Sequence, residues 1–244
     1  MPVALPENIS GLAVFLDIDG TLLDIARTPE AVVVPPGLPE SLIRLSGRLG
    51  GALALVTGRS IETVDRLLGI SAIAVCGLHG AERRNSAGRV GRPQTTASFE
   101  RAKARLRERA AMAPGLLFED KGAAFAAHYR LAPKLRQAVF DLMTELAREV
   151  GEGWVLQEGK NVVELRPEGR DKGDALTALM AEDPFRTRRP LAIGDDVTDE
   201  AMFCAANRLD GLSVRVGEDH RSSLARNRVA SPSDVRAWIA RVAA

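Results

Sequence analysis

Short apolar runs alternate with amphipathic stretches at the start of the chain. Three of the runs are typical of buried strands, at 14–16, 52–56 and 72–76. Between them, 39–48 and 61–68 carry apolar residues at the spacing of a helix packed on a sheet. Ser60 precedes the second helix as a candidate N-cap, and Gly69 follows it as a stop. This order of strand, helix and strand predicts a parallel sheet with right-handed crossovers.

The middle of the chain changes to strands that are joined by short turns. The predicted elements there are helices at 96–112 and 133–150, and strands at 116–119, 123–129, 154–157 and 161–165. Strands that follow one another this closely pair antiparallel. We therefore predict an α/β protein with a Rossmann-like parallel-sheet core, formed by 1–83 and 168–244, and an inserted α+β cap domain at 84–167.

The last quarter of the chain returns to the first pattern. The predicted elements are helices at 171–180 and 198–206, strands at 190–193, 212–216 and 228–230, and a final helix from Ser231 or Ser233. Near the other end, the segment 24–34 combines prolines with a short apolar run. We interpret this segment as a loop or short hairpin flap.

Composition and charge exclude several classes of protein. Of the 244 residues 45% are hydrophobic, enough for a sizeable core, and the formal net charge is +1. No global field therefore attracts nucleic acid or an anionic membrane. Cys76 and Cys204 lack the spacing of a disulfide framework, and neither a secretion signal nor an apolar run of about 18 residues is seen. We expect a cytoplasmic protein with a small-molecule partner and a monomer, although the sequence leaves the oligomeric state open.

Polar residues stand at the carboxyl ends of predicted strands, the edge where open α/β sheets bind ligands. They are Asp17 and Asp19 after the first strand, Thr57 after the second, Lys172 at a helix start, and Asp195, Asp196 and Asp199 after the strand at 190–193. Each feature alone has a structural explanation, such as a turn for Asp-Gly or a helix cap for Gly-Asp-Asp. Four of them at sheet and helix edges favour one shared site.

The chemistry of this set fits a phosphate ester. The carboxylates that follow the first strand and those that follow the strand at 190–193 can together hold Mg²⁺, which prefers oxygen ligands. Thr57 offers a hydroxyl to an anion, and Lys172 offers a positive charge beside a helix N-terminus. A carboxylate that attacks a phosphoryl dianion is repelled by about 4 kcal/mol for each like-charge pair at about 4 Å, and these cations offset that repulsion. Asp17 would then be the nucleophile and Asp19 the general acid and base.

Four motifs resemble those of the haloacid-dehalogenase-like phosphatases. They are Asp17-Ile-Asp-Gly-Thr21, Val56-Thr-Gly-Arg59, Lys172 and Gly194-Asp-Asp-Val-Thr-Asp199. Three further phrases are similar to the trehalose-6-phosphate phosphatase family of that superfamily: Gly77-Leu-His-Gly-Ala-Glu82, His128-Tyr-Arg130 and Gly159-Lys-Asn-Val-Val-Glu-Leu-Arg-Pro167. This resemblance covers nearly the whole chain and shows no departure at the catalytic positions.

The resemblance implies roles for individual residues. The catalytic set would be the nucleophile Asp17, the acid and base Asp19, Thr57 and Lys172. The Mg²⁺ ligands would be Asp17, the backbone carbonyl of Asp19 and Asp195, with Asp196 and Asp199 in or near the next layer around the ion. The substrate would be bound by Arg59 and by three cap residues, Glu119, Lys121 and Glu164.

Two alternatives stay open for the cap residues and the histidines. Glu119, Lys121 and Glu164 also fit salt pairing on an exposed surface, which is common and weak. His79 and His128 fit either a ligand or a hydrogen-bonded structural histidine.

The resemblance therefore implies a Mg²⁺-dependent phosphatase that hydrolyses trehalose 6-phosphate through an aspartyl-phosphate, in trehalose biosynthesis. A related phosphatase for another sugar phosphate and a non-catalytic sugar-phosphate sensor with the same fold are the alternatives. A dinucleotide-binding enzyme is disfavoured, because neither Gly-x-Gly-x-x-Gly nor a P-loop follows a predicted strand.

Overall fold

The structure, a computed structural model, describes residues 5–26, 28, 31–218 and 222–244. Its strands are β1 (Leu12–Leu16), β2 (Leu53–Val56), β3 (Ala74–Gly77), β4 (Glu82–Arg84), β5 (Val90–Gly91), β6 (Leu117–Asp120), β7 (Phe125–His128), β8 (Trp154–Gly159), β9 (Val162–Pro167), β10 (Arg189–Gly194), β11 (Leu212–Val216) and β12 (Asn227–Val229). Its helices are α1 (Leu38–Arg48), α2 (Ile61–Leu68), α3 (Ala97–Met112), α4 (Arg136–Val150), α5 (Lys172–Met180), α6 (Glu200–Arg208) and α7 (Pro232–Val242). Two compact units result: unit 1 comprises 1–91 and 170–244, and unit 2 comprises 92–169.

Unit 1 is built on an eight-stranded sheet in the order β12-β11-β10-β1-β2-β3-β4-β5. The six strands from β12 to β3 are parallel, and β4 and β5 are antiparallel to their neighbours. Every residue of β1, β2 and β3 is buried, because helices cover both faces of a parallel sheet. Among these helices, α1 packs against α7, and α5 packs against α6. The predicted α/β class with a parallel-sheet core is confirmed.

The central position of β1 decides where polar residues gather. This strand lies between β2 and β10, which come from opposite sides of the insert in the sequence. Leu16, the last residue of β1, pairs with Leu55 on one side and Ile193 on the other. The residues that follow these three strands therefore emerge together at one edge, at the point where the strand order reverses.

Local caps fix the helix starts that face this edge. The Ser60 side chain accepts a hydrogen bond from the Thr63 N–H, and Gly69 ends the same helix at φ +66°, as predicted. Asp171 accepts from the N–H groups of Gly173 and Asp174, which makes Lys172 the first residue of α5. The final helix begins after Ser231, whose side chain accepts from the Asp234 N–H.

Unit 2 is a four-stranded antiparallel sheet in the order β6-β7-β9-β8. Helices α3 and α4 cover one face of the sheet, and their apolar side chains form a separate core with it. Phe99 of α3 stacks on Trp154 with ring centroids 4.2 Å apart and lies 5.2 Å from the ring of Phe125. The antiparallel α+β pattern predicted for the middle of the chain is thus present.

Several element boundaries differ from the sequence prediction. Residues 84–91, the start of the expected insert, form a hairpin that extends the sheet of unit 1, and the Asn85 side chain accepts the N–H groups of Ala87 and Arg89 in its turn. The expected helices at 133–150 and 198–206 each begin with a 3₁₀ turn, at Pro133–Leu135 and Val197–Asp199.

The segment 24–34 contains no strand in its described part, and Pro29 lies outside the described residues. Within the described ranges, no helix combines the length and the apolar character that crossing a bilayer requires.

Candidate active site

Lys172 joins the acidic residues of unit 1. It is the buried first residue of α5, and its Nζ donates to Asp17 Oδ1 at 2.8 Å and to Asp199 Oδ1 at 2.7 Å. Asp17 directly follows β1, and its N–H donates to the Ile193 carbonyl of β10. The structure therefore brings together three of the sequence features that were expected to share a site.

Three carboxylates form a group that fits a cation. One oxygen each of Asp17, Asp195 and Asp199 lies within 4.8 Å of the others. Asp195 Oδ1 is buried and accepts no hydrogen bond from the described residues. A Cβ added at Gly20 would lie 2.2 Å from Asp195 Oδ2, so only glycine leaves room for this carboxylate. An oxygen-lined group with an unsatisfied buried acceptor is suited to a hard divalent cation.

The group carries surplus negative charge, since three carboxylates face one ammonium. Burial raises the pKa of Asp17 well above its usual value, and Asp199 and Asp195 add to this, while Lys172 lowers it. Burial, followed by the charge of Asp199, raises the pKa of Asp195 to about 7. Burial lowers the pKa of Lys172, but Asp17 and Asp199 outweigh it, so the net pKa is raised and the ammonium stays charged. A divalent cation would balance the remaining charge.

Asp199 shapes the loop that presents Asp195. It is fully buried, and its Oδ2 accepts the N–H groups of Asp195 at 2.9 Å and Asp196 at 3.0 Å. A Cβ at Gly194 would lie 2.2 Å from the Asp199 carboxyl carbon. The family resemblance implies that Asp199 lies in or near the layer around the metal ligands. In the structure, one of its oxygens lies with those of Asp17 and Asp195 in the carboxylate group. The spacing Asp196-x-x-Asp199, typical of a capping box, is the sequence signal for this role.

The Asp19 carboxylate binds Arg59. Arg59 Nε donates to Asp19 Oδ2 at 2.6 Å, and Arg59 Nη2 donates to Asp19 Oδ1 at 2.7 Å, a bidentate pair. Thr57 is buried, and its Oγ1 accepts the Arg59 N–H at 3.2 Å. Thr57, Arg59 and Asp19 are therefore neighbours. The Asp19 carboxylate does not belong to the group of Asp17, Asp195 and Asp199.

Unit 2 holds a second polar group that contains the three expected cap residues. Lys121 Nζ donates to Glu164 Oε2 and lies 3.9 Å from Glu119 Oε2. Glu119 and Glu164 both stand opposite Ala126 of β7, so the two carboxylates share one face of the sheet. Glu164 Oε1 is buried, and none of the described residues donates to it.

His128 belongs to the same group, where its Nε2 lies 2.8 Å from Glu119 Oε2. This partnership depends on the register between β6 and β7, and nothing in the sequence marks it. The contact places His128 beside a proposed substrate-binding residue.

A family model described as trehalose-phosphatase matches residues 15–233. The chain belongs to the trehalose-phosphatase family. It is 52% identical over 240 residues to a probable trehalose-phosphate phosphatase of Sinorhizobium fredii, with 98% of this chain and 91% of the relative covered. It is 41% identical over 238 residues to the trehalose-6-phosphate phosphatase of Escherichia coli, with 96% and 87% covered.

A solved structure of a trehalose-6-phosphate phosphatase related protein superposes with a TM-score of 0.80 at 31% identity, covering 93% of this chain and 95% of the other. The fold is also shared with a phosphatase described as a member of the haloalkanoate (HAD) enzyme superfamily, which superposes with a TM-score of 0.59 at 17% identity and 94% coverage of each chain. The family resemblance and the fold class expected from the motifs are confirmed, and with them the class of enzyme, a phosphoric monoester hydrolase.

Asp195→Asn should stabilise the metal-free protein and remove its response to Mg²⁺. Folding raises the pKa of Asp195 to about 7, so the ionised carboxylate destabilises the folded state above that pH. The stabilisation by Asp195→Asn should therefore be full at pH 8 and should shrink as the pH falls from 7 towards 4. We expect a gain of about 1–2 kcal/mol in EDTA, or roughly 3–6 °C in Tm, since Asp195 is partly exposed. Thermal unfolding with EDTA and with MgCl₂ measures both effects.

Asp196→Asn is the matched control, because it makes the same charge change one residue along on an exposed side chain. This variant should keep the Tm increase on addition of MgCl₂. An Asp195→Asn variant that still gains the full increase would contradict a cation site at this group.

Proposed function

We propose that the protein hydrolyses trehalose 6-phosphate to trehalose and inorganic phosphate, with Mg²⁺ as its metal. Membership of the trehalose-phosphatase family over residues 15–233 supports the substrate. The observation that carries the mechanism is the buried contact of Lys172 with Asp17, at the carboxyl end of the central strand. This contact supports the proposal, because a fixed positive charge beside Asp17 would offset the repulsion between an attacking carboxylate and a phosphate.

Asp17 acts as the nucleophile in this proposal. One of its oxygens attacks phosphorus, the bond between phosphorus and O6 of the sugar breaks, and an aspartyl-phosphate forms. Water then attacks the same phosphorus, the bond to Asp17 breaks, and inorganic phosphate leaves. Lys172 keeps Asp17 oriented and reduces the like-charge repulsion in both steps.

Asp19 handles the proton in both steps. It gives a proton to O6 as trehalose leaves, and it takes one from the attacking water in the second step. Both Asp19 oxygens accept from Arg59 in the structure, so at least one of these bonds has to open first. A substrate phosphate would compete for the Arg59 guanidinium, which binds phosphate in the same bidentate way. Thr57 adds a hydroxyl next to Arg59.

The metal would be held by the carboxylates of Asp17 and Asp195 and by the backbone carbonyl of Asp19. When bound, Mg²⁺ supplies positive charge that offsets the repulsion between a carboxylate and a phosphate dianion. Asp199 holds the Asp195 loop in place through its two bonds to backbone N–H groups.

Unit 2 supplies sugar recognition in this proposal. Glu164 Oε1 is a buried acceptor without a donor among the described residues, and a sugar hydroxyl is a neutral donor that would satisfy it. Lys121 and Glu119 add a donor and an acceptor on the same face of the sheet. We further propose that the enzyme works in the cytoplasm as a monomer, as the sequence analysis led us to expect.

Phosphate release from a panel of substrates tests the proposed activity. We expect Mg²⁺-dependent release from trehalose 6-phosphate, with kcat/KM at least about 100-fold higher than for glucose 6-phosphate or sucrose 6-phosphate, because buried polar groups left unpaired disfavour the wrong sugar. EDTA should abolish the activity. Equal rates with glucose 6-phosphate would instead indicate a phosphatase for another sugar phosphate, and binding without turnover would indicate a sensor.

Asp17→Asn should abolish turnover, because an amide oxygen is a poor nucleophile and cannot form the aspartyl-phosphate. We expect a fall in kcat of about 10⁴-fold or more, as for other losses of a covalent nucleophile. Removal of one charge from the crowded acidic group should leave Tm in EDTA unchanged or higher. A variant with near-normal kcat would rule out Asp17 as the nucleophile.

Glu164→Ala should weaken recognition of the sugar and spare the phosphoryl chemistry. We expect kcat/KM for trehalose 6-phosphate to fall about 10- to 100-fold, while that for p-nitrophenyl phosphate changes less than about 3-fold. Glu158→Ala is the matched control, since Glu158 lies in the adjacent strand β8 but is exposed and pairs with Arg136. An equal loss on both substrates would assign Glu164 to the fold of unit 2.

A further inference from the structure

The turn between β3 and β4 has a backbone conformation that side chains disfavour. Leu78, His79 and Gly80 follow one another with φ values of +48°, +58° and +106°. Left-handed backbone is uncommon for residues other than glycine, and a bulky leucine there is unusual. Such a conformation persists only where the surrounding structure enforces it.

Backbone hydrogen bonds tie this turn to the segment that carries Thr57 and Arg59. The Leu78 N–H donates to the Arg59 carbonyl at 3.0 Å, and the His79 N–H donates to the Thr57 carbonyl at 2.9 Å. The Thr57 N–H donates in turn to the carbonyl of Cys76 at 2.9 Å. The left-handed turn therefore lets two successive N–H groups reach the carbonyls of Thr57 and Arg59.

The His79 ring also contacts this segment, at Gly58. A Cβ added at Gly58 would lie 2.7 Å from His79 Nε2 and 2.8 Å from its Cε1, so the imidazole rests directly on the Gly58 backbone. His79 is buried, with 8% of its surface exposed. Beyond the segment, the Glu82 carboxylate accepts the Ile61 N–H at 2.8 Å, which anchors the start of α2.

The same turn also approaches the helix that begins with Lys172. A Cβ added at Gly80 would lie 2.9 Å from the Asp171 carbonyl oxygen and 3.2 Å from Ala175 Cβ. The turn thus contacts two of the segments from which the proposed site is built. The turn thereby links the backbone that carries Arg59 to the backbone that precedes Lys172.

We propose that His79 is a positioning residue, whose ring against Gly58 and left-handed backbone hold Thr57 and Arg59 where they bind the substrate phosphate. This inference rests on the proposed phosphatase activity. His79 acts through the Thr57-Gly-Arg59 segment, so its loss should affect substrate binding more than it affects the fold.

Two substitutions of His79 separate positioning from stability. Glycine accepts left-handed backbone freely and asparagine accepts it better than most residues, so neither adds strain. We expect kcat/KM for trehalose 6-phosphate to fall about 10- to 50-fold in His79→Gly, mainly through a higher KM, with Tm changed by less than about 3 °C. The kcat/KM of His79→Asn for trehalose 6-phosphate should lie between the values of His79→Gly and the wild type.

Asp210→Gly is the matched control for the backbone change. Asp210 also has left-handed backbone, at φ +54°, but it is exposed and precedes β11 at the opposite end of the parallel strands from the site. This variant should keep the kcat and KM of the wild type. His79→Gly with unchanged kcat/KM and a lowered Tm would overturn the proposal, because His79 would then serve the fold alone.

A double-mutant cycle with Gly58 tests the contact itself. Gly58→Ala should displace the His79 ring, so we expect about a 30-fold loss of kcat/KM and about a 3 °C loss of Tm in the wild type, but less than about 3-fold and 1 °C in the His79→Gly background. Additive effects would overturn the inference. The thermal half of the cycle needs no turnover, so it tests the contact even if the wild type hydrolyses none of the sugar phosphates.

Discussion

A buried surplus of negative charge is the constraint on which unit 1 depends. Asp17, Asp195 and Asp199 are held close together, and Lys172 is the ammonium that hydrogen-bonds two of them. Buried carboxylates are costly unless a cation or a hydrogen bond balances them. The fold supplies part of that balance with Lys172 and with backbone N–H groups, and a divalent cation would supply the rest. The same unbalanced charge would make such a group suited to bind a metal and, with it, a phosphate.

The sheet topology reduces the conformational entropy lost in ordering this group, because a strand or a helix fixes the backbone of each member. Asp17, the proposed nucleophile, follows the central strand, the loop with Asp195 follows β10, and Lys172 is the first residue of a capped helix. Glycines stand where a side chain would collide with a carboxylate, at Gly20 and Gly194. The turn at Leu78 and His79 is a further example of backbone shaped around the site. Its left-handed φ values are unfavourable for these residues and are retained beside the segment that carries Arg59.

The two polar groups differ in the chemistry that they suit. Unit 1 holds three carboxylates with the ammonium of Lys172, which suits a metal, and also the Arg59 guanidinium paired with Asp19, which suits a phosphate. The group in unit 2 combines the carboxylates of Glu119 and Glu164 with the ammonium of Lys121, a smaller surplus of negative charge, and its one buried acceptor without a donor among the described residues suits a neutral hydroxyl group. A phosphorylated sugar needs both kinds of recognition. This division by charge supports a sugar phosphate as the substrate.

The sequence by itself determined the class of fold, most element positions and the identity of the acidic and basic residues. Those signals are local, since the caps at Ser60 and Asp171 and the Asp-x-Asp motif after β1 act over a few residues. Only the tertiary structure decided which side chains meet. Lys172 and Asp17 are 155 positions apart, and the pairing of His128 with Glu119 depends on strand register. The hairpin at 84–91, the bidentate pair of Arg59 with Asp19 and the contact of His79 with Gly58 likewise depend on packing between distant segments. Periodicity and composition carry no information about such contacts.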